Sequence, residues 1–127
     1  MLYYENKIPI ELDYGVTVTL KVLGGKWKPC IIDCIAKGIN RPAEIHREIG
    51  KANLRVINQQ LRELLDYNVV SKEVFIGYPL KVQYELTGFG KTLLPIIALM
   101  EEWGNENSKK IYEMALTRNE NIRLPEK

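Results

Sequence analysis

Apolar positions fall first at helical and then at strand spacing, and the period changes near residue 70. Residues 16–23 are a short apolar segment that stops at Gly24-Gly25. From residue 26 to 37, Trp27, Ile31, Cys34 and Ile35 recur at helical spacing, and Gly38 closes the run. Pro29 fits a first turn, where a missing N–H costs nothing, so the helix is expected to start near Gly25. Asn40 is the expected N-cap of the next helix, with Pro42 and Glu44 in its opening turn. Ala43, Ile45 and Ile49 form its apolar face, and Gly50 is placed to end it in the left-handed conformation. A turn at residues 51–53 follows, and Asn53 caps a further helix running to about Tyr67. Helix, glycine-containing turn, helix at this spacing is the helix-turn-helix pattern.

Beyond it, residues 70–76 and 81–87 are rich in Val, Ile, Phe and Tyr. In the second run Val82, Tyr84 and Leu86 alternate with Lys81, Gln83 and Glu85, as on a strand with one wet face. Gly77-Tyr78-Pro79-Leu80 between the runs predicts a hairpin tip. Thr87 is the expected cap of a long helix with a stripe of Leu93, Ile96, Ile97, Met100 and Trp103, kinked at Pro95 and broken or bent at Gly104. A last amphipathic stretch covers residues 111–116, and residues 119–127 read as a frayed tail. The expected class is α+β and mostly helical: a winged helix-turn-helix with a two-stranded hairpin wing and a long C-terminal helix.

Composition narrows the function classes. The 127 residues fit one globular domain, with 46% hydrophobic and 27% charged residues. The longest apolar run, residues 93–100, holds Pro95 and is far short of the roughly 20 residues a membrane span needs. The N-terminus has no apolar core of the signal-peptide kind, so a cytoplasmic protein with no membrane partner is expected. Net charge is only +2, but residues 16–62 hold nine Lys or Arg against Asp33, Glu44 and Glu48. A basic middle suits a face presented to a polyanion, but the charge alone favours an ordinary solvated surface.

Candidate chemistry centres on the helix Leu54–Asp66. Ile57, Leu61, Leu64 and Leu65 are its expected core face, which leaves Arg55, Asn58, Gln59 and Arg62 opposite, at i, i+3, i+4 and i+7. Arg pairs bidentately with guanine, and Asn or Gln with adenine. All four lie in the first turns, the part of a recognition helix that reaches the groove floor. Taken alone they would better suit an ordinary surface helix; the preceding helix-turn and following hairpin favour base reading. Lys51 in the turn could meet a phosphate, and Lys81 beside Tyr78 offers a cation and a hydroxyl where a wing touches backbone or minor groove. Cys30 and Cys34, at i and i+4, are expected as two small core residues rather than a disulfide. His46 has no partner at a diagnostic spacing, and neither a phosphate loop nor a metal-ligand cluster appears, so no enzyme, cofactor or metal is expected.

Four blocks in order carry a resemblance: Leu20-x-Val22-Leu23-Gly24-Gly25-Lys26-Trp27; Asn58-Gln59-Gln60-Leu61-Arg62-Glu63-Leu64; Pro79-Leu80-Lys81-Val82-Gln83-Tyr84-Glu85-Leu86-Thr87; and Leu94-Pro95-Ile96-Ile97 with Trp103-Gly104. Together, over residues 16–104, they resemble the HxlR family of bacterial winged-helix transcriptional regulators. The resemblance implies a homodimer on a pseudo-palindromic operator of double-stranded DNA, one recognition helix per half-site. It also implies residues 16–87 as the DNA-binding core, and residues 88–118 with the N-terminal segment for dimerisation. Leu20, Leu93, Ile96, Ile97, Met100 and Trp103 are the interface residues so implied. Many members carry Cys-Pro-Val where this chain has Tyr14-Gly15-Val16, so a thiol switch at that site is impossible here. Arg41-Pro42 stands where Arg-Phe is common and keeps a phosphate role for Arg41; Asn53 stands where Ser is common, and both cap. A protein-interaction module without a specific DNA site, and a sensor with a small-molecule effector at the dimer interface, are the alternatives.

Overall fold

The computed structural model describes residues 14–118. The tail expected at residues 119–127 lies outside them. The elements are α1 Gly15–Leu23, α2 Lys28–Ala36, α3 Pro42–Ile49, α4 Leu54–Asp66, β1 Val70–Phe75, β2 Lys81–Leu86, α5 Gly88–Lys91 and α6 Leu94–Thr117. They group into two compact units that divide between Lys91 and Thr92.

The first unit is the winged helix-turn-helix. Its core is Ile31 and Ile32 of α2, Ile45 of α3, and Ile57, Leu61 and Leu64 of α4, closed by Val69 and Val70, all fully buried. Each contributes about 1.5–3 kcal/mol by leaving water. Three helices converge because each carries one apolar stripe, and α2 packs against α3, α4 and β2.

The turns explain the helix ends. Gly50 sits at φ +76°, where a Cβ would strain the backbone, and its N–H donates to the His46 carbonyl at 2.9 Å. Asn53 Oδ1 accepts the Val56 N–H at 2.9 Å and so fixes the start of α4. Asn53→Ala is expected to lower stability by about 1 kcal/mol in urea unfolding, whereas Asn53→Ser should cost almost nothing. At the other end Asn68 takes a left-handed φ of 59°, which Asn tolerates, so that the Val69 and Asn68 N–H groups reach the Leu64 and Leu65 carbonyls at 2.9 Å each. That reversal turns the chain from α4 directly into β1.

β1 and β2 pair antiparallel from Val70↔Leu86 to Phe75↔Lys81. Only the base is anchored: Val70 and Tyr84 are buried, while residues 71–80 are all exposed. The Tyr84 N–H donates to the Asn40 carbonyl at 2.9 Å, tying β2 to the start of α3. The hairpin therefore projects from the domain as a wing.

Several expectations are corrected. α2 starts at Lys28, not near Gly25. The cap of α3 is Arg41 rather than Asn40: the Arg41 N–H donates to Glu44 Oε1 at 3.2 Å, while the Asn40 carbonyl is engaged by β2. Ala43 is exposed, leaving Ile45 and a partly covered Ile49 as the inner face of α3, and Leu65 is only half-buried. Cys34 is buried but Cys30, about 40° away in projection and one turn nearer the helix start, is exposed.

The helix after Thr87 is two helices. Thr87 does cap the first, its Oγ1 accepting the Gly90 N–H at 2.8 Å, but α5 ends at Lys91. Pro95 has no N–H to give the Lys91 carbonyl and its ring would clash there, so the chain restarts and places Pro95 in the first turn of α6. Once begun, α6 runs 24 residues without a break at Gly104, about 36 Å at 1.5 Å per residue. It absorbs the stretch 111–116.

Candidate nucleic-acid interface

Helix α4 divides its surface among three tasks, as projection at about 100° per residue makes plain. Ile57, Leu61 and Leu64 hold the core. Gln60 and Glu63, one flank over, lock the helix to the segment that opens α2. The Trp27 N–H donates to Gln60 Oε1 at 3.0 Å, and Lys28 Nζ lies 2.6 Å from Glu63 Oε1. Arg55, Asn58, Gln59 and Arg62 occupy the remaining arc of about 100°, and all four are exposed. A helix held on two sides presents its third rigidly. That is the condition for hydrogen bonds to base edges, which lose little entropy when the donor is already in place.

Lys28 changes the charge reading. It counts toward the basic surplus by sequence, yet its side chain is only 4% exposed and is committed to Glu63. The signal was present: Lys28, Ile31, Ile32 and Ile35 fall at i, i+3, i+4 and i+7, so the lysine shares the apolar stripe. Gln60 and Glu63 had no such signal, because their partners lie some thirty residues away.

The other expected contact residues fall in two places. Lys51 and Asn53 are exposed in the turn before α4. Arg41, Tyr78 and Lys81 come together in an open groove of about 450 Å³, with Phe75, Ile76 and Gln83 also on its walls. Gln83, Phe75 and Ile76 were not foreseen as site residues. Burial pushes the Tyr84 hydroxyl pKa up, and the Arg62 guanidinium of α4 partly opposes this. Burial likewise pushes the Cys34 thiol up, reinforced by Glu48, Asp33 and Cys30 and opposed by Lys37. Such a thiol is far from the reactive thiolate a sensor needs.

In the second unit, α6 exposes Ile96, Leu99, Met100 and Trp103, and further on Ile111 and Met114. Leu93 and Ile97 are buried in the single chain. On α1, Leu20 is exposed. Among the described residues no His, Cys, Asp and Glu group could hold a metal ion, and no helix is long and apolar enough to cross a membrane.

This architecture, with an exposed polar face on the second helix of a helix-turn-helix and a hairpin behind it, is that of a winged-helix transcriptional regulator. The family described as HxlR-like helix-turn-helix matches residues 22–112. The chain belongs to it. It is 42% identical over 103 residues to the uncharacterized HTH-type transcriptional regulator YybR of Bacillus subtilis (strain 168), covering 81% of this chain and 82% of that one. Among solved structures it resembles the redox regulator HypR in its reduced form, with a TM-score of 0.73 and 39% identity over 79% of this chain and 99% of that one. The HTH-type transcriptional regulator ytcD matches with a TM-score of 0.70 and 34% identity, over 76% of this chain and 98% of the other.

Proposed function

We infer that this regulator binds a specific duplex site as a homodimer, with α4 of each copy in a major groove. The observation that carries the reading is the exposed Arg55, Asn58, Gln59 and Arg62 face on a helix locked by Gln60 and Glu63. Arg41, Lys51, Asn53 and Lys81 are assigned to sugar and phosphate, where they set register rather than sequence, and Tyr78 at the wing tip is assigned to the minor groove.

The second copy is assigned to the apolar surface of α6. Ile96, Met100 and Trp103 recur at i, i+4 and i+7 with Leu99 beside them, a stripe too continuous to be left in water. Leu20 of α1 is exposed and apolar and joins the same assignment, whereas Leu93 and Ile97 are omitted because the single chain already buries them. The same reading assigns the protein to the cytoplasm, where its DNA ligand lies. The redox role in the name of HypR is not carried over, since Tyr14 replaces the family cysteine and Cys34 is a buried, protonated thiol.

Selection of bound duplexes from a random pool tests this. The expected product is an inverted repeat with half-site centres about 10 base pairs apart, the spacing of successive major grooves on one face. Its affinity should fall steeply with salt, and sedimentation should give two chains per duplex. A pool that enriches no sequence would overturn specific binding, and one chain on a single half-site would overturn the dimer.

A further inference from the structure

We propose that the wing tip is an apolar wedge that enters the minor groove flanking the α4 contact and unstacks one base step, bending the duplex. The proposal rests on the DNA-binding reading above and goes beyond it in assigning the tip a mechanical role.

The wing ladder ends at Phe75↔Lys81, and Ile76 and Tyr78 just past it are the most exposed large apolar side chains among the described residues of the first unit. Ile76 is 96% exposed, Tyr78 fully exposed and Leu80 64%, with Val74 and Phe75 about half exposed beneath them. No wing needs this to close its own domain, because Val70 and Tyr84 already do so at its base. A tip that merely brushed phosphates would be polar. Five large apolar side chains at the end of one projecting hairpin call for a dry destination.

Charge decides which one. The groove beside the tip is lined by Arg41, Lys81 and Gln83, and no acidic side chain lines it. Two cations flanking an apolar point suit a polyanion with a hydrophobic interior rather than an apolar protein surface. Duplex DNA has that construction: phosphates outside, stacked bases within. Minor-groove proteins insert Ile, Leu, Phe or Pro between base pairs while Arg or Lys holds the groove walls. The step entered should be a pyrimidine–purine step, TA or CA/TG, because those unstack most readily.

The experiment uses the duplex recovered by selection, with 2-aminopurine substituted for single adenines in turn and with end-labels for energy transfer. Binding of the full chain is expected to raise 2-aminopurine emission severalfold at one step per half-site and to shorten the end-to-end distance. The double variant Ile76→Ser, Tyr78→Ser should lose both signals and bind about tenfold more weakly, with an unchanged salt slope because no charge was removed. Arg41→Gln should keep the emission rise at saturation and reduce the salt slope by about one. Tight, specific binding with no responsive position, or a tip variant that bends DNA as the parent does, would overturn the wedge and leave the DNA-binding reading standing. A parent chain with no sequence preference at all would overturn both. A tip variant that changes the oligomeric state while 2-aminopurine stays silent would assign the tip to protein contact and end the proposal.

Discussion

Glu63→Gln is expected to destabilise the fold by about 2–4 kcal/mol, whereas Lys28→Met should cost little or nothing. The asymmetry follows from burial. The Lys28 side chain is 4% exposed and that of Glu63 is 41% exposed. Removing the carboxylate leaves an ammonium in the interior with its ion-pair partner gone, and breaking a fully buried pair this way costs about 3–5 kcal/mol. Half-exposure of Glu63 lets water reach the site, so the lower part of that range and somewhat below applies. Removing the ammonium instead leaves a carboxylate that can turn to solvent, and puts a methionine among Ile31, Ile32 and Ile35, where its shape is welcome. Urea midpoints at constant m-value would measure this, with the double variant Lys28→Met, Glu63→Leu recovering most of the loss. Equal costs for the two single variants would mean that the pair is no more than a surface contact. The pair also bears on function: it holds the side of α4 next to Arg62, so Glu63→Gln should weaken DNA binding even where the protein remains folded.

A second large effect is expected at Gly90, and its sign should be opposite at Gly104. A Cβ on Gly90 would fall on the backbone carbonyl of Val69, inside any permissible contact. That carbonyl cannot move aside, because it accepts the Thr87 N–H at 3.1 Å, the Thr87 hydroxyl holds the neighbouring Asn68 carbonyl at 2.7 Å, and Val69 is fully buried. Gly90→Ala must push α5 off the base of the wing, at about 2–4 kcal/mol, toward the upper end of overpacking effects. For a chain of this length the melting temperature should drop by roughly 4 °C per kcal/mol. Gly104 lies within α6 and an added Cβ would meet nothing within 4 Å. Gly104→Ala should therefore stabilise by about 0.5–1 kcal/mol through helix propensity and reduced freedom of the unfolded chain. Thermal melts of both variants separate the two mechanisms. A neutral Gly90→Ala would show that the turn from β2 into α5 is looser than its hydrogen bonds indicate.

What could be read in advance depended on whether the cause was local. Asn53, Ile57, Leu61 and Leu64 define α4 through spacing and a cap three residues away, so the helix and its exposed face were legible. The alternation of Val82, Tyr84 and Leu86 gave the wing in the same way. Pro95 was misplaced because a proline is compatible with an interior kink or a first turn, and only the Lys91 carbonyl decides. Gly104 looked like a break because its helix cost is local, whereas the 24-residue helix around it is cooperative. Lys28 looked like surface charge because its partner lies 35 positions on, although its register with the isoleucines pointed inward. The apolar character of Ile76 and Tyr78 was visible in the sequence, but their exposure was not: only the end of the ladder at Phe75↔Lys81 shows them standing free of the core.

The central claim is that the outer face of α4 reads bases while the wing sets position. Fluorescence-anisotropy titration of the selected duplex, and of duplexes with each half-site base pair replaced in turn, tests it most directly when run on the parent chain, Arg55→Ala, Gln59→Ala and Lys81→Ala. Arg55→Ala and Gln59→Ala should each lose about 1–3 kcal/mol on the selected duplex and become indifferent to replacement at one base-pair position. Lys81→Ala should weaken binding to every duplex alike and reduce the salt slope by about one. If Arg55→Ala and Gln59→Ala instead weaken all duplexes equally and keep the full base preference of the parent, α4 is not the reading element.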